Sequence, residues 1–206
     1  MECIQGRSAL QLDALALARR LDGYRDILVD LGTGDGRFVR HMAAACPARF
    51  AIGIDACRQN LRQASRRAPP NALYLIANAQ ALPCELHGLA TELAINFPWG
   101  SLLGSLLEGD PALIGRLAAI VRPGALLEVR LNGGALAEAG WSLQEGGMRV
   151  WEVLRASGFA VRPPLALGPR ELRTCPTTWA RRLAFGRDPR ALYLQGRAVA
   201  TSDSCT

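Results

Sequence analysis

The chain is expected to fold as an α/β protein around a parallel, doubly wound sheet, and three features of the sequence say so. Short, nearly continuous apolar runs alternate with segments of helical periodicity, and the first run opens straight into a glycine-rich loop. At 206 residues, half of them hydrophobic and a fifth charged, the chain suffices for one domain with a real core. Ahead of the first strand, residues 2–5 and 8–12 flank a turn at Gly6 and lead into a short amphipathic helix carrying Leu15, Ala16, Leu17 and Leu21. Apolar runs at 27–31, 50–54, 73–77, 93–97, 125–131 and 191–199 read as strands, several of the continuous kind found where both faces of a sheet are covered. Helical patterns lie between them at 35–46, 57–67, about 101–121 and 147–157. Arg122-Pro123-Gly124 stops the third and Gly158 the fourth. Residues 1–200 are read as one domain with 1–25 as an N-terminal extension, and 201–206 as a disordered tail.

All 24 basic residues are arginine, against 18 acidic ones, for a formal net charge of +6. The permanently charged, planar guanidinium fork suits phosphate-bearing partners, while a GC-rich coding bias accounts for the missing lysine equally well. No apolar run approaches the roughly 20 residues that span a bilayer, and Met1 opens no signal-like segment. A soluble, cytoplasmic protein with no membrane partner is expected. Six cysteines, none in a CxxC pair, and only two histidines, His41 and His87, argue against a metal site and for reduced thiols.

The first strand runs into Asp30-Leu31-Gly32-Thr33-Gly34-Asp35-Gly36-Arg37. Glycines at 32, 34 and 36 permit a tight turn with the backbone close to a ligand, at the carboxyl edge where open α/β sheets bind. The spacing decides which ligand. A dinucleotide site wants G-x-G-x-x-G, but position 37 is arginine and the third glycine comes one residue early. Asp30, just before the first glycine, is awkward for a pyrophosphate and suits an ammonium group. Gly53-Ile54-Asp55 ends the second strand in a carboxylate placed to accept both hydroxyls of a ribose. A cationic amino acid joined to an adenosine meets all three conditions, and the predicted cofactor is S-adenosylmethionine. Asp35 either orients the methionine ammonium or serves as an N-terminal helix carboxylate.

From about residue 26 to 131 the pattern resembles class I, Rossmann-like methyltransferases. That resemblance implies a seven-stranded, mostly parallel sheet with helices on both faces. It makes Gly32, Thr33 and Gly34 cofactor-contacting, and places the adenine pocket at Ile76-Ala77-Asn78-Ala79-Gln80-Ala81-Leu82-Pro83, with backbone near Asn78 and Ala79 and the Gln80 amide at the base's edge. After the fourth strand comes Asn96-Phe97-Pro98-Trp99-Gly100-Ser101, where N⁶-adenine methyltransferases carry a related Asn-Pro-Pro-aromatic motif. Far downstream stands Thr177-Thr178-Trp179-Ala180-Arg181-Arg182-Leu183-Ala184-Phe185-Gly186-Arg187. Both tryptophans are expected on loops at the carboxyl edge of the sheet.

Together these segments closely resemble Kam-type aminoglycoside-resistance methyltransferases, which modify N1 of adenine 1408 in the 16S rRNA of the 30S ribosomal subunit. The likeness extends to the front end, where the family has a short β-hairpin. It implies a monomer in which Trp99 and Trp179 sandwich the flipped adenine beside Pro98, with Ser101 and Thr177 on the cofactor side. RNA contact falls to Arg66, Arg67, Arg182 and Arg187, and in the linker to Arg149. Arg66 and Arg67 are further expected near loop ends on the ligand side. Trp141 and Trp151 are read as core. Because N1 of adenine carries a lone pair and no proton, no general base is assigned, and positioning should dominate the rate. The alternatives are a methyltransferase acting on another RNA, such as a tRNA purine, or on a small molecule; a nicotinamide-dependent oxidoreductase; and a non-catalytic RNA-binding module.

Overall fold

The computed structural model describes residues 1–186 and 189–199. The chain opens with β1 (Glu2–Gln5), β2 (Ser8–Gln11) and α1 (Ala14–Leu21), then alternates through β3 (Asp26–Leu31), α2 (Arg37–Ala45), β4 (Arg49–Asp55), α3 (Arg58–Arg66), β5 (Ala72–Ile76) and β6 (Ala90–Asn96). Two helices follow, α4 (Gly100–Glu108) and α5 (Pro111–Ile120), before β7 (Val121–Asn132), α6 (Gly133–Glu138), α7 (Leu143–Ala156), β8 (Phe159–Val161) and β9 (Leu165–Leu167). The described chain finishes with α8 (Pro169–Thr174), α9 (Thr178–Phe185) and β10 (Ala191–Ala198).

These strands form one sheet in the order β2-β1-β5-β4-β3-β6-β7-β10-β8, with β9 also paired to β10. The central strands β5, β4, β3, β6 and β7 are parallel, and β10 runs antiparallel to β7. Successive residues of β3 point to opposite faces. Ile27, Val29 and Leu31 join Ile52 and Leu93 on one side, while Leu28 packs with Phe38, Val39 and Tyr74 on the other. Both faces are dry, which is why the strands read as continuous apolar runs.

The sheet has ten strands among the described residues, where seven were expected. The N-terminal hairpin does not stand apart; β1 pairs antiparallel with β5 through Cys3 and Leu75 and covers what would otherwise be an open edge. β9, three residues long, pairs Leu165–Leu167 with Ala191–Tyr193 and is too short to show a period. The helix expected over 101–121 is two helices. Gly109 at φ +72° ends α4, the Asp110 side chain accepts the Ala112 N–H at 2.8 Å, and Pro111 opens α5. α6, α8 and α9 were not expected as helices, and α7 begins earlier than its apolar pattern, at a Ser142/Glu145 capping box. Trp141 packs against the core, and the Trp151 indole donates to the Val161 carbonyl at 3.0 Å; both are structural.

Candidate active site

The glycine loop is held by the neighbouring strand. Gly32 and Thr33 both donate their N–H to the Ile54 carbonyl, at 2.9 and 3.0 Å, and Gly36 donates back to the Thr33 carbonyl at 3.1 Å. Asp55, at the end of β4, accepts from Gly34 N–H and Cys57 N–H, both at 2.8 Å, so one carboxylate braces the loop and the start of α3. Gly36 sits at φ +66°, and a Cβ there would stand 2.5 Å from Tyr74 Cε1 and 2.6 Å from Ala64 Cβ. Gly36→Ala is therefore expected to destabilise the fold by about 1–3 kcal/mol, from overpacking plus a strained φ. A denaturant-unfolding midpoint equal to that of the unsubstituted protein would contradict this. Gly34, at φ +57°, faces open space instead.

Asp30 is buried at the foot of the loop, 1% exposed. Thr33 Oγ1 donates to its Oδ2 at 2.5 Å and Asn96 Nδ2 to its Oδ1 at 2.9 Å. Burial pushes its pKa up to about 6, with Thr33, Asn96 and the Arg130 charge pulling back and Asp55 adding to the rise. The site thus holds a carboxylate whose charge a cation would relieve.

Above these residues lies a cleft of about 480 Å³ at the carboxyl ends of β3, β4, β5 and β6. It gathers Asp30, Gly32, Thr33, Gly34, Asp35, Asp55, Asn78, Ala79, Gln80, Ser101 and Thr177, together with Pro98, Trp99, Trp179 and Arg182. Leu102, Leu113, Asn60, Asn96 and Thr178 line it as well. Sequence reasoning passed over the two leucines because their helical period marks them as ordinary core.

Several of these side chains also hold local structure. The Gln80 amide nitrogen is committed: Nε2 donates to Ser105 Oγ at 3.1 Å and to Asp110 Oδ2, pinning the pocket wall to the α4–α5 junction. That bond is the first cause holding the Asp110 carboxyl below its ordinary pKa. Asn78 caps the following 3₁₀ turn by accepting Gln80 N–H at 3.0 Å. Thr177 Oγ1 caps α9 by accepting Ala180 N–H at 2.9 Å. Asp35 accepts from Arg37 N–H at 3.2 Å and from Thr178 Oγ1 at 2.5 Å, a local turn bond and a tie to α9.

The two tryptophans come together across the cleft. Phe97, the one non-glycine residue with positive φ among those described, sits at +53° and throws Pro98-Trp99 off the end of β6. Trp99 caps α4, and its indole N–H donates to Glu138 Oε1 at 3.2 Å. Trp179 lies in the first turn of α9 rather than on a loop, with the Arg182 guanidinium 5.1 Å from its ring centre. The rings stack on each other, centroids 5.0 Å apart and planes 17° apart. A base between two faces needs about 7 Å, two contacts of roughly 3.5 Å, so the indoles must part by at least about 2 Å to admit one.

The arginines divide. Arg67 lines a second groove with Arg37, Arg40 and His41 of α2 and with Arg173 and Arg181. This groove meets the cleft where Cys175 and Pro176 lead into Thr177. Arg66 and Arg67 do not lie on the ligand side: α3 starts at the carboxyl edge and runs back, so they close it at the far end, and the Arg66 stem lies against the Gly6 turn. Arg149 is spent on the fold, its Nε donating to the Leu107 carbonyl at 2.8 Å and its Nη2 to that of Glu108 at 3.3 Å, where it caps α4. Arg187 lies outside the described residues. Among the described residues no group of His, Cys, Asp and Glu is placed to hold a metal, and no helix is long and apolar enough to cross a membrane.

Comparison with known proteins shows the family. The family model NpmA, 16S rRNA (adenine(1408)-N(1))-methyltransferase, matches residues 2–198. The 16S rRNA (adenine(1408)-N(1))-methyltransferase of Streptoalloteichus tenebrarius is 34% identical over 181 residues, covering 80% of this chain and 83% of that protein. Among solved structures, the 16S rRNA methyltransferase KamB superposes with a TM-score of 0.87 at 29% identity, over 97% of this chain and 100% of its own. A variant of the corresponding enzyme from Catenulisporales acidiphilia, solved with its cosubstrate SAM, gives 0.85 at 26% identity over 98% and 99% of the two chains. With a match running from the first strand to the last, this chain belongs to the 16S rRNA (adenine(1408)-N(1))-methyltransferase family.

Proposed function

We propose that this chain transfers the methyl group of S-adenosylmethionine to N1 of adenine 1408 in the 16S rRNA of the 30S subunit, and so confers aminoglycoside resistance. It acts as a cytoplasmic monomer, residues 1–200 forming its single domain. The observation that carries the choice of a flipped base as substrate is the pairing of Trp99 and Trp179 across a cleft floored by the glycine loop.

The cleft suits the cofactor. Asp55 ends β4 where a carboxylate takes ribose hydroxyls, Gly34 leaves open space beside the loop, Asp30 offers negative charge to an ammonium, and Ala79 with Leu102 and Leu113 provides apolar lining for an adenine. When bound, the cofactor supplies an electrophilic methyl on a sulfonium. The protein's part is positioning. Trp99 and Trp179 replace the stacking a base loses on leaving its helix, at about 1–3 kcal/mol per face, and their ring quadrupoles stabilise the positive charge that grows on the purine. Asn96 supports the ring nitrogen as target. Its amide oxygen accepts Arg130 Nη1 at 2.9 Å and its Nδ2 is given to Asp30, so the side chain is committed away from an exocyclic amine. The N1 lone pair needs no such acceptor.

The test is methylation of isolated 30S subunits with labelled S-adenosylmethionine, followed by primer extension on the 16S RNA. A stop at adenine 1408 supports the reading; label elsewhere, or none, rejects it. The groove along α2 is the proposed phosphate track, with Arg182 at the cleft; among the described residues none of its arginines is in an ion pair. Arg67→Glu with Arg181→Glu is expected to weaken 30S binding and to flatten its dependence on log salt by about one unit for each phosphate no longer neutralised. Equal slopes for variant and parent would remove the groove from the footprint.

A further inference from the structure

We propose that Arg130 is a positioning residue for methyl transfer: anchored by Glu128 and Tyr193, it orients Asn96 so that the Asp30 carboxylate is presented to the cationic amino-acid end of the cofactor. This rests on the reading of the cleft as an S-adenosylmethionine site. The observation is an unbroken chain of polar contacts through the sheet. Tyr193 Oη on β10 donates to Glu128 Oε1, and Arg130 Nη2 on β7 donates to Glu128 Oε2 at 2.9 Å. Arg130 Nη1 donates to Asn96 Oδ1 at 2.9 Å, and Asn96 Nδ2, at the end of β6, donates to Asp30 Oδ1 on β3 at 2.9 Å. The Arg130 guanidinium also lies 5.0 Å from the centre of the Tyr193 ring.

Each link has one orientation. An amide side chain can present either its oxygen or its nitrogen to a neighbour, and Arg130, which only donates, forces the oxygen toward itself and the nitrogen toward Asp30. A guanidinium does this because its planar fork bridges Glu128 and Asn96 at once; a point charge on a flexible stem does not. The chain also crosses the sheet by register rather than by sequence, since Asn96 pairs with Arg130 across β6 and β7, and Tyr193 with Arg130 across β7 and β10. Burial is the largest single influence and opposes the Arg130 charge, but Glu128, Cys175 and Tyr193 together offset it and keep the guanidinium above its ordinary pKa. A fixed positive charge is thus held behind the buried Asp30 by a group that does not itself enter the cleft. Arg130 on β7 and Asp55 on β4 are the charges that face Asp30, with Tyr74 on β5 and Cys175 beyond α8 as further titratable neighbours.

The consequence has a sign. Asp30 must be ionised to pair with an ammonium, so ligand binding weakens as pH falls through its pKa of about 6. Removing the Arg130 charge and freeing Asn96 favours the protonated acid, moving this limb to higher pH. The experiment is calorimetric titration of S-adenosylhomocysteine between pH 5.5 and 8.5 into the parent protein, Arg130→Met, Arg130→Lys, Asp30→Asn and the Arg130→Met/Asp30→Asn pair, each first checked by thermal melting. Arg130→Met is expected to shift the acid limb up by about one pH unit, read as a roughly fivefold weaker Kd at pH 6. Arg130→Lys, which keeps Glu128 neutralised and so protects the fold, shifts it the same way by less. Asp30→Asn removes the limb, and adding Arg130→Met to it changes Kd by less than about twofold. An unshifted limb in both Arg130 variants overturns the proposal. So does an Arg130→Met loss that is as large without Asp30 as with it, for that loss is structural. If Asp30→Asn alone leaves affinity and profile unchanged, the assignment of Asp30 to the cofactor fails instead, and the two failures are told apart.

Discussion

Trp99→Ala and Trp179→Ala are each expected to lower kcat/KM on 30S subunits by about 100-fold, while S-adenosylhomocysteine binds within about twofold of its normal affinity. Three magnitudes set this number. Removing one aromatic face from the base costs about 1–3 kcal/mol. Against it, the variant no longer breaks the stack of the two indoles, worth about 0.5–1.5 kcal/mol. The balance is small, and loss of position decides the result: a base held on one face is free to shift, and a misplacement of about 1 Å costs on the order of 100-fold. The same comparison explains why a stacked pair still opens for substrate, since stacking the base on two indole faces outweighs the single indole–indole stack it replaces. Phenylalanine at either position keeps a ring face and should recover most of the activity. The measurement is single-turnover methylation beside calorimetry; a variant that loses cofactor binding in parallel with turnover is no base platform.

Asp55→Ala is expected to weaken S-adenosylhomocysteine binding by at least about 100-fold. The carboxylate braces Gly34 and Cys57 and stands at the proposed ribose position, and hydrogen bonds to a charged group are worth about 1.5–3 kcal/mol each. Losing the brace relaxes the loop, and losing the charge removes the acceptors for the two hydroxyls. Asp55→Asn keeps one acceptor oxygen and should lose about tenfold. Calorimetry on protein shown by melting to be folded makes the comparison; an Asp55→Ala Kd within a few-fold of the parent value would move the ribose elsewhere in the cleft.

The glycine loop and its two aspartates were legible because they are local. A strand that carries an acidic residue next to its end and runs into closely spaced glycines turns at the same place whatever the rest of the chain does, and Asp55 follows at the end of the next strand. The tryptophans were legible only as motifs; nothing in their own segments says that residues 80 apart share a cleft. Apolar periodicity overran Gly109-Asp110-Pro111, where a cap and a proline break one helix into two. Charge misled in the same way. Arg149 carries the right charge for RNA, but the carbonyls of Leu107 and Glu108 claim it first, as Ser105 and Asp110 claim the Gln80 amide nitrogen.

By itself, then, the sequence determined the α/β class, the glycine loop flanked by Asp30 and Asp55, and, through its motifs, the family. Those features rest on backbone geometry and residue order within a few positions. Only the tertiary structure decided that the indoles meet face to face, that Arg67 joins α2 and α9 in a basic groove while Arg66 turns to the hairpin, and that Arg130 reaches Asp30 through Asn96. The physical reason is register. Each of these contacts is made between elements brought side by side by sheet order, and hydrogen-bond competition among close neighbours, invisible along the chain, settles which polar side chain remains free to act.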